Sequence, residues 1–252
     1  MTGLKIAALY SLKPLELGYC GPQDKSATEY LLNYLLDRGV QEVLEKRARE
    51  ILAGFEAAYP YYKLIARRNG VKDPFDERVV KAYWVGNELL DNVSTYSLQH
   101  LIAEEFSMPA GPLPPGIAQR KAKEIPLGSK PHHTFHVLFL GSITGRVVLK
   151  GEFFDCCRIS WGRVTKKDPS HNSVTVSYQP LVTEGNYQLG NPQEKDVNWN
   201  KDLIPQLKIG QVVSFHWKQA VQILTQEDIE NIQKYTQRTL ESINAVLSAK
   251  SR

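Results

Sequence analysis

The stretch "LELGYCGPQD" places Cys20 between Gly18 and Gly21, just ahead of a predicted helix that begins after Ser26. A thiolate is a strong nucleophile, and the unpaired N–H groups of a helix start lower the pKa of a nearby thiol. Flanking glycines would also let backbone N–H groups approach a developing oxyanion. Cys20 is therefore a candidate catalytic nucleophile. A small buried side chain in a glycine-rich turn is the alternative.

The stretch "PHHTFHV" carries His132, His133 and His136. The following "FHVLFL" favours a strand, in which His132 and His136 share a face about 13 Å apart. That is too far for one metal ion. We predict that His132 or His133 acts as the base or orienting group for a thiol, and that His136 contacts a ligand. Ordinary hydrogen bonding at a strand end is the alternative.

Two adjacent cysteines, Cys156 and Cys157, follow in "FFDCCRISWG", together with Trp161. On a strand the two thiols would face opposite ways, and one of them would join the core. A metal site made of Cys20, one histidine and one of these cysteines would suit zinc. No CxxC pair requires such a site, so metal binding and the metal's identity stay open.

In "AYWVGNELLD", Gly86 interrupts a helical pattern, which indicates close packing or the approach of a ligand. Trp84 and Asn87 beside it, and Trp161 further on, are candidate ligand-binding residues. Packing is the alternative for each of them.

Composition limits the class of protein. The chain has 252 residues, 42% apolar, with a net charge of +4 spread along its length. This diffuse positive charge argues against nucleic-acid binding. The chain has no apolar run long enough to predict a membrane span. The start of the chain lacks a signal-peptide cleavage pattern. Three cysteines suggest free thiols, so we expect a cytoplasmic protein.

The patterns predict an α+β fold. Residues 1–106 are expected to form a helical N-terminal half, with Ser26 and Asp73 capping two of its helices. A proline-rich connector spans 107–131 and includes Pro109 and Pro112. Residues 132–252 are expected to form an antiparallel β half that ends in a helix.

Five runs are predicted as strands in that second half: "HTFHVLFLG", "GRVVLKG", "FFDCCRISWGRV", "SVTVSYQPLV" and "QVVSFHW". In the last run, alternation turns Val213 and Phe215 inward and His216 outward. Thr225 and Asp228 form the capping pair of the final helix. The two halves would form one integrated domain if Cys20 meets the histidines across their interface.

The words "LGYCGP", "AYWVGN", "HHTFHV" and "CRISWGRV" resemble those of an uncharacterised bacterial family, a domain of unknown function with the pattern LGYCGP, AYWVGN, HHSFHVF and CRIRWGRV. The resemblance covers about residues 10–165. It implies an association with nickel–iron hydrogenase gene clusters and an accessory or maturation role. It supplies no catalytic residues, but its words contain Cys20, Trp84, Asn87, His132, His133, His136, Cys157 and Trp161.

We therefore expect an intracellular accessory protein that handles a metal, a small ligand or a partner enzyme, with a hydrogenase as the candidate partner. A second hypothesis is a Cys–His thiol enzyme, a hydrolase or transferase, with Cys20 as nucleophile and His132 or His133 as base. A third is a non-catalytic interaction module. The first two require Cys20 and the histidines to share one pocket.

Overall fold

The computed structural model describes residues 1–107 and 113–250 of the chain. Pro109 and Pro112 of the predicted connector lie outside the described residues. The helices in chain order are α1 (Gly3–Glu16), α2 (Ala27–Leu35), α3 (Gln41–Ala53), α4 (Ala58–Arg68), α5 (Glu77–Trp84), α6 (Thr95–Glu104), α7 (Pro115–Lys123), α8 (His133–Phe135), α9 (Glu152–Cys157) and α10 (Gln226–Lys250). The strands are β1 (Ser160–Asp168), β2 (Ser173–Tyr178), β3 (Leu181–Val182), β4 (Gln188–Leu189), β5 (Gln193–Asn198), β6 (Val212–His216) and β7 (Gln219–Ile223).

The helical half is organised around α1, which packs against α2, α3 and α5. This helix is buried on nearly every side, as expected for a sequence that is apolar almost all round. Two predicted caps are wrong. Ser26 makes no capping bond and its hydroxyl instead donates to Asp24, while α5 is capped by Asp76 rather than Asp73. Asp24 accepts both the N–H and the hydroxyl of Ser26, which leaves that hydroxyl unavailable as a cap. α5 begins only at Glu77, so Asp76 is the residue placed to accept a first-turn N–H, that of Arg78.

Five strands of the second half close into a barrel with the order β1-β2-β5-β7-β6. Its neighbours are antiparallel except β5 and β7, which run parallel and meet where Asn198 pairs with Gln219. Alternate residues fill the interior, including Val164, Val176 and Phe215. The strands β3 and β4 form a separate two-stranded sheet.

The segment that follows His132 is helical, not extended as predicted. It begins with α8 and continues as a π-helix over His136–Leu140. Seven of the eight side chains from His133 to Leu140 are buried, all but Phe139. When a segment is buried on all sides, its sequence shows neither the period of a helix nor that of a strand. The strand prediction failed for this reason.

Two further strand predictions are wrong, one for the first part of its run and the other for the whole run. The "FFDCC" stretch forms α9, whose first turn carries Glu152 and Asp155, acidic residues that favour a helix start. Residues 145–150 form no strand, although Val147 and Leu149 pack inward while Val148 is exposed. The side chains alternate in burial as they would in a strand, but no described strand pairs with this segment to form a sheet.

The two halves share one apolar core, which runs from Leu4 in α1 through Phe135 and Ile159 to Tyr235 in α10. The predicted capping pair is confirmed, because Thr225 and Asp228 bond to each other's backbone N–H groups at 3.1 Å. The α+β prediction is confirmed as well. No helix in the described part of the chain has the length and apolar character needed to cross a bilayer.

Candidate functional site

A small cavity of about 20 Å³ lies where the helical half meets the second half. Its lining includes Cys20, Tyr83, Trp84, His133, Cys157 and His216. A space of this size exceeds the roughly 10–15 Å³ that one water molecule requires. The cavity therefore has room for a single water molecule or a single ion.

Three potential metal ligands meet at this cavity. One ligand atom each from His133, Cys157 and His216 lies within 4.8 Å of the other two. His133 opens α8, Cys157 ends α9 and His216 ends β6, so the ends of three separate elements supply the three groups. All three side chains are buried. Imidazole and thiolate are the ligand pair that zinc and related transition metals prefer.

The hydrogen bonding of His216 fixes its tautomer. Its Nδ1 lies 2.8 Å from the carbonyl oxygen of Tyr10, which can only accept, so Nδ1 carries the proton. Its Nε2 is buried and has no hydrogen-bond partner among the described residues. Burial lowers the pKa of His216 to about 4, against the opposing effect of its hydrogen bond to the carbonyl of Tyr10. The ring is thus neutral, with a free lone pair on Nε2.

His133 is held at both ring nitrogens. Its Nε2 donates to the carbonyl oxygen of Cys157 at 2.9 Å, so its Nδ1 accepts from the hydroxyl of Tyr83 at 3.0 Å. Burial, followed by the neighbouring His216 and His136, holds the pKa of His133 well below its usual value. A metal on Nε2 would require the proton to move to Nδ1, with the Tyr83 oxygen then accepting it.

Both thiols at the cavity are protonated in this state. Burial raises the pKa of Cys20 to about 12, with Glu56 adding to the shift and Arg146 opposing it. Burial and then Cys20 raise the pKa of Cys157 well above its usual value. This is the reverse of the lowering expected for Cys20 near a helix start. The cause is the packing of the thiol against apolar groups such as Phe55, which disfavours the thiolate, although part of the Cys20 residue stays exposed.

The other predicted catalytic and ligand-binding histidines lie outside the cavity lining. His132 is fully buried, neither of its ring nitrogens has a hydrogen-bond partner among the described residues, and its ring lies 6.1 Å from that of Tyr235. His136 Nδ1 lies 3.3 Å from the hydroxyl of Tyr61. Burial lowers the pKa of both histidines to about 3. Of the three predicted histidines, the structure brings His133 to Cys20.

The predicted ligand-binding residues have three different surroundings. Trp84 lines the cavity, with its ring centroid 4.5 Å from that of His133. Asn87 uses its amide internally, donating to the carbonyl oxygen of Arg78 at 2.8 Å and accepting from the N–H of Leu89 at 3.0 Å. Trp161 lines a separate groove on the barrel. Their role in binding stays a prediction.

Sequence reasoning missed His216, which was expected to face solvent and is 2% exposed. Alternation along β6 does place His216 and Ser214 on the side opposite Val213 and Phe215, which fill the barrel. That outer side is covered by α1, where Tyr10 bonds to both Ser214 and His216. A strand pattern cannot reveal that a distant helix covers its outer face.

The fold and site define an α+β protein with a buried His–Cys cluster between its two halves. The chain belongs to the family of unknown function DUF6390, whose model matches residues 1–250. This agrees with the resemblance to an uncharacterised domain family. No curated protein matches the chain, and no solved structure matches it.

Proposed function

We propose that this chain is an accessory protein that binds one transition-metal ion at its buried cavity, through His133, Cys157 and His216. The observation that carries the proposal is the buried Nε2 lone pair of His216, which has no partner among the described residues and belongs to a ring in contact distance of two further ligand groups. A buried polar atom without a partner costs roughly 1–3 kcal/mol. An ion at the cavity would remove that cost.

The hydrogen bond behind His216 supports the same reading. Metal-bound histidines usually donate their second ring N–H to a carbonyl or carboxylate, which fixes the ring and raises its basicity. The bond from His216 Nδ1 to the Tyr10 carbonyl oxygen has this arrangement. Tyr83 would accept the corresponding hydrogen bond from His133 once the ring proton has moved to Nδ1.

The size of the cavity favours an ion over a substrate. A space of about 20 Å³ has no room for a substrate group beside the Cys20 thiol, and the raised thiol pKa removes the nucleophile at neutral pH. A Cys–His enzyme would need a cavity large enough for its substrate and a thiol whose pKa is lowered. The structure therefore supports the thiol-enzyme hypothesis less well.

The ligand types favour a particular class of ion. Imidazole and thiolate suit Zn²⁺, Ni²⁺, Co²⁺ and Cu⁺, whereas Mg²⁺ and Ca²⁺ require oxygen ligands. Nickel belongs to the favoured class, so a role in handling nickel for a nickel–iron hydrogenase is part of the proposal, on the strength of the sequence resemblance. A cytoplasmic location is part of it too, since all three cysteines are free thiols.

The test begins with protein purified without affinity tags or chelators. Elemental analysis should show a transition metal in stoichiometric amount, or the metal-free protein should bind Co²⁺ and Zn²⁺ at one site. We expect His216→Ala to weaken binding more than about a hundredfold, because ligands matter at least as much as their hydrogen-bond partners.

His132→Phe is the matched control, because this histidine is equally buried but lies outside the cavity lining. It should change affinity less than about threefold. The proposal is wrong if the metal-free protein binds none of these ions, or if His216→Ala binds as tightly as the wild type.

A further inference from the structure

An ion pair between Glu56 and Arg146 fixes the loop that carries Cys20. The carboxylate of Glu56 accepts the N–H of Gly21 at 3.0 Å, and Arg146 Nη1 donates to the carbonyl oxygen of Gly21 at 2.9 Å. Arg146 Nη2 also bonds to Glu56 at 2.6 Å. Both polar backbone groups of the residue after Cys20 are thus fixed by one charged pair.

The residue before Cys20 is fixed as well. Thr144 donates to the carbonyl oxygen of Tyr19 at 2.9 Å, and the Tyr19 ring packs on Trp217 with centroids 4.7 Å apart. Gly21 has a φ of 87°, and a Cβ there would come within 2.7 Å of the Phe55 ring. The chain therefore approaches Phe55 as closely as glycine allows, and Cys20 is held against the cavity from both sides.

The net charge of a bound divalent ion and its ligands favours a second thiolate at the site. A divalent ion bound by two neutral imidazoles and one thiolate keeps a net charge of +1 in a buried site, which is costly. None of the described residues that line the cavity carries a carboxylate. A second thiolate is the group in the lining that would bring the net charge to zero.

The Cys20 thiol lines the cavity, but it is not one of the three groups whose ligand atoms lie within 4.8 Å of one another, so it must move towards them to bind. We propose that Cys20 moves onto a bound ion as its fourth ligand, completing a His₂Cys₂ site, and that the Glu56–Arg146 pair positions the loop that carries it. The inference rests on the proposed function. As each Sγ–metal bond forms, the S–H bond breaks and its proton passes to solvent. Four protein ligands make a closed site, which holds its ion and exchanges it slowly.

The first experiment counts thiolates in the Co²⁺-loaded protein by near-ultraviolet charge-transfer absorption. We expect Cys20→Ser to lose about half of the intensity, since one of two thiolates is removed. Cys156→Ser is the matched control and should keep the wild-type spectrum, because Cys156 is outside the cavity lining. An unchanged spectrum in Cys20→Ser would overturn the inference and leave the proposed function intact.

The second experiment measures the rate at which Co²⁺ passes to a chelator in excess. It tests whether the Glu56–Arg146 ion pair positions Cys20. Arg146→Gln should keep the wild-type spectrum but release the ion at least tenfold faster, because the loop opens more often. Arg49→Gln, which breaks an ion pair with Asp73 away from the loop, should release it at the wild-type rate. Equal rates for Arg146→Gln and the wild type would refute the positioning role. Wild-type protein that binds no Co²⁺ would refute the proposed function and this inference together.

Discussion

The proton on Nδ1 of His216 points to the carbonyl oxygen of Tyr10, 206 residues earlier in the chain, across a distance of 2.8 Å. This bond joins the first helix to the barrel. It also leaves Nε2 as the unprotonated nitrogen at the cavity. The packing of the two halves therefore sets the chemistry of the ring.

The affinity for a divalent ion should rise with pH. His216 and His133 are already neutral near pH 7, whereas both thiols are protonated because burial raises their pKa. Binding then releases two protons, so log K should increase by about 2 per pH unit between pH 6 and 8. Competition titrations with Zn²⁺ would measure the slope, and Cys20→Ser should reduce it to about 1. A slope near zero would contradict the ligand assignment.

The metal-free protein should lose stability on mild acidification. Burial lowers the pKa of His132 and His136 to about 3 and that of His216 to about 4, from 6.5 in the unfolded chain. Below pH 6.5 the unfolded state binds protons that the native state excludes. Each histidine then costs about 1.4 kcal/mol per pH unit until its native pKa is reached.

Urea unfolding between pH 7.5 and 4.5 would measure this loss. In His132→Phe, the free energy of unfolding should depend less steeply on pH, because one buried histidine no longer contributes. A free energy of unfolding that stays constant from pH 7 to pH 5 would show that these rings are protonated in the native state.

Gly86→Ala should be strongly destabilising. Gly86 has a φ of 98°, and a Cβ there would lie 2.3 Å from the Tyr235 ring, which packs from α10. We expect a loss of roughly 3 kcal/mol or more from strain and overpacking together. Gly70→Ala is the matched control, with a φ of 66° and no atom within 4 Å of the added Cβ, and should lose about 1 kcal/mol. Equal losses would mean that the contact with Tyr235 is unimportant.

Asp155→Ala should cost roughly 3–5 kcal/mol, because it leaves a buried charge without its counterion. Arg158 is 1% exposed and bonds to Asp155 at 2.8 Å, and Lys195 approaches the same carboxylate at 3.2 Å. Glu194→Ala removes an exposed partner of Lys166 and should cost less than about 1 kcal/mol. Thermal and chemical unfolding of both variants would give the comparison. A small loss for Asp155→Ala would show that water reaches Arg158.

Much of the fold follows from local sequence. The α+β class, the Thr225–Asp228 cap and the close approach at Gly86 were all predicted from patterns within a few residues. Gly86 shows the limit of such reasoning, because the pattern indicated a close neighbour but not that Tyr235, 149 residues later, would be that neighbour.

The candidate site was harder to predict because burial on all sides hides periodicity. The run from His133 to Leu140 read as a strand, and that reading gave the wrong spacing for its histidines. His216 was assigned to solvent because alternation says nothing about what covers the outer face of a barrel. Ligand chemistry alone suggests a site composed of Cys20, one histidine and either Cys156 or Cys157, but nothing in the spacing of these residues requires it.

The three clustered side chains are widely separated along the chain, at positions 133, 157 and 216. A ribosome must synthesise most of the polypeptide, including strand β6 of the barrel, before the last of them exists. Chains that end before His216 would thus present at most part of the set. Ion capture would require that synthesis has passed His216 and that both halves have come together.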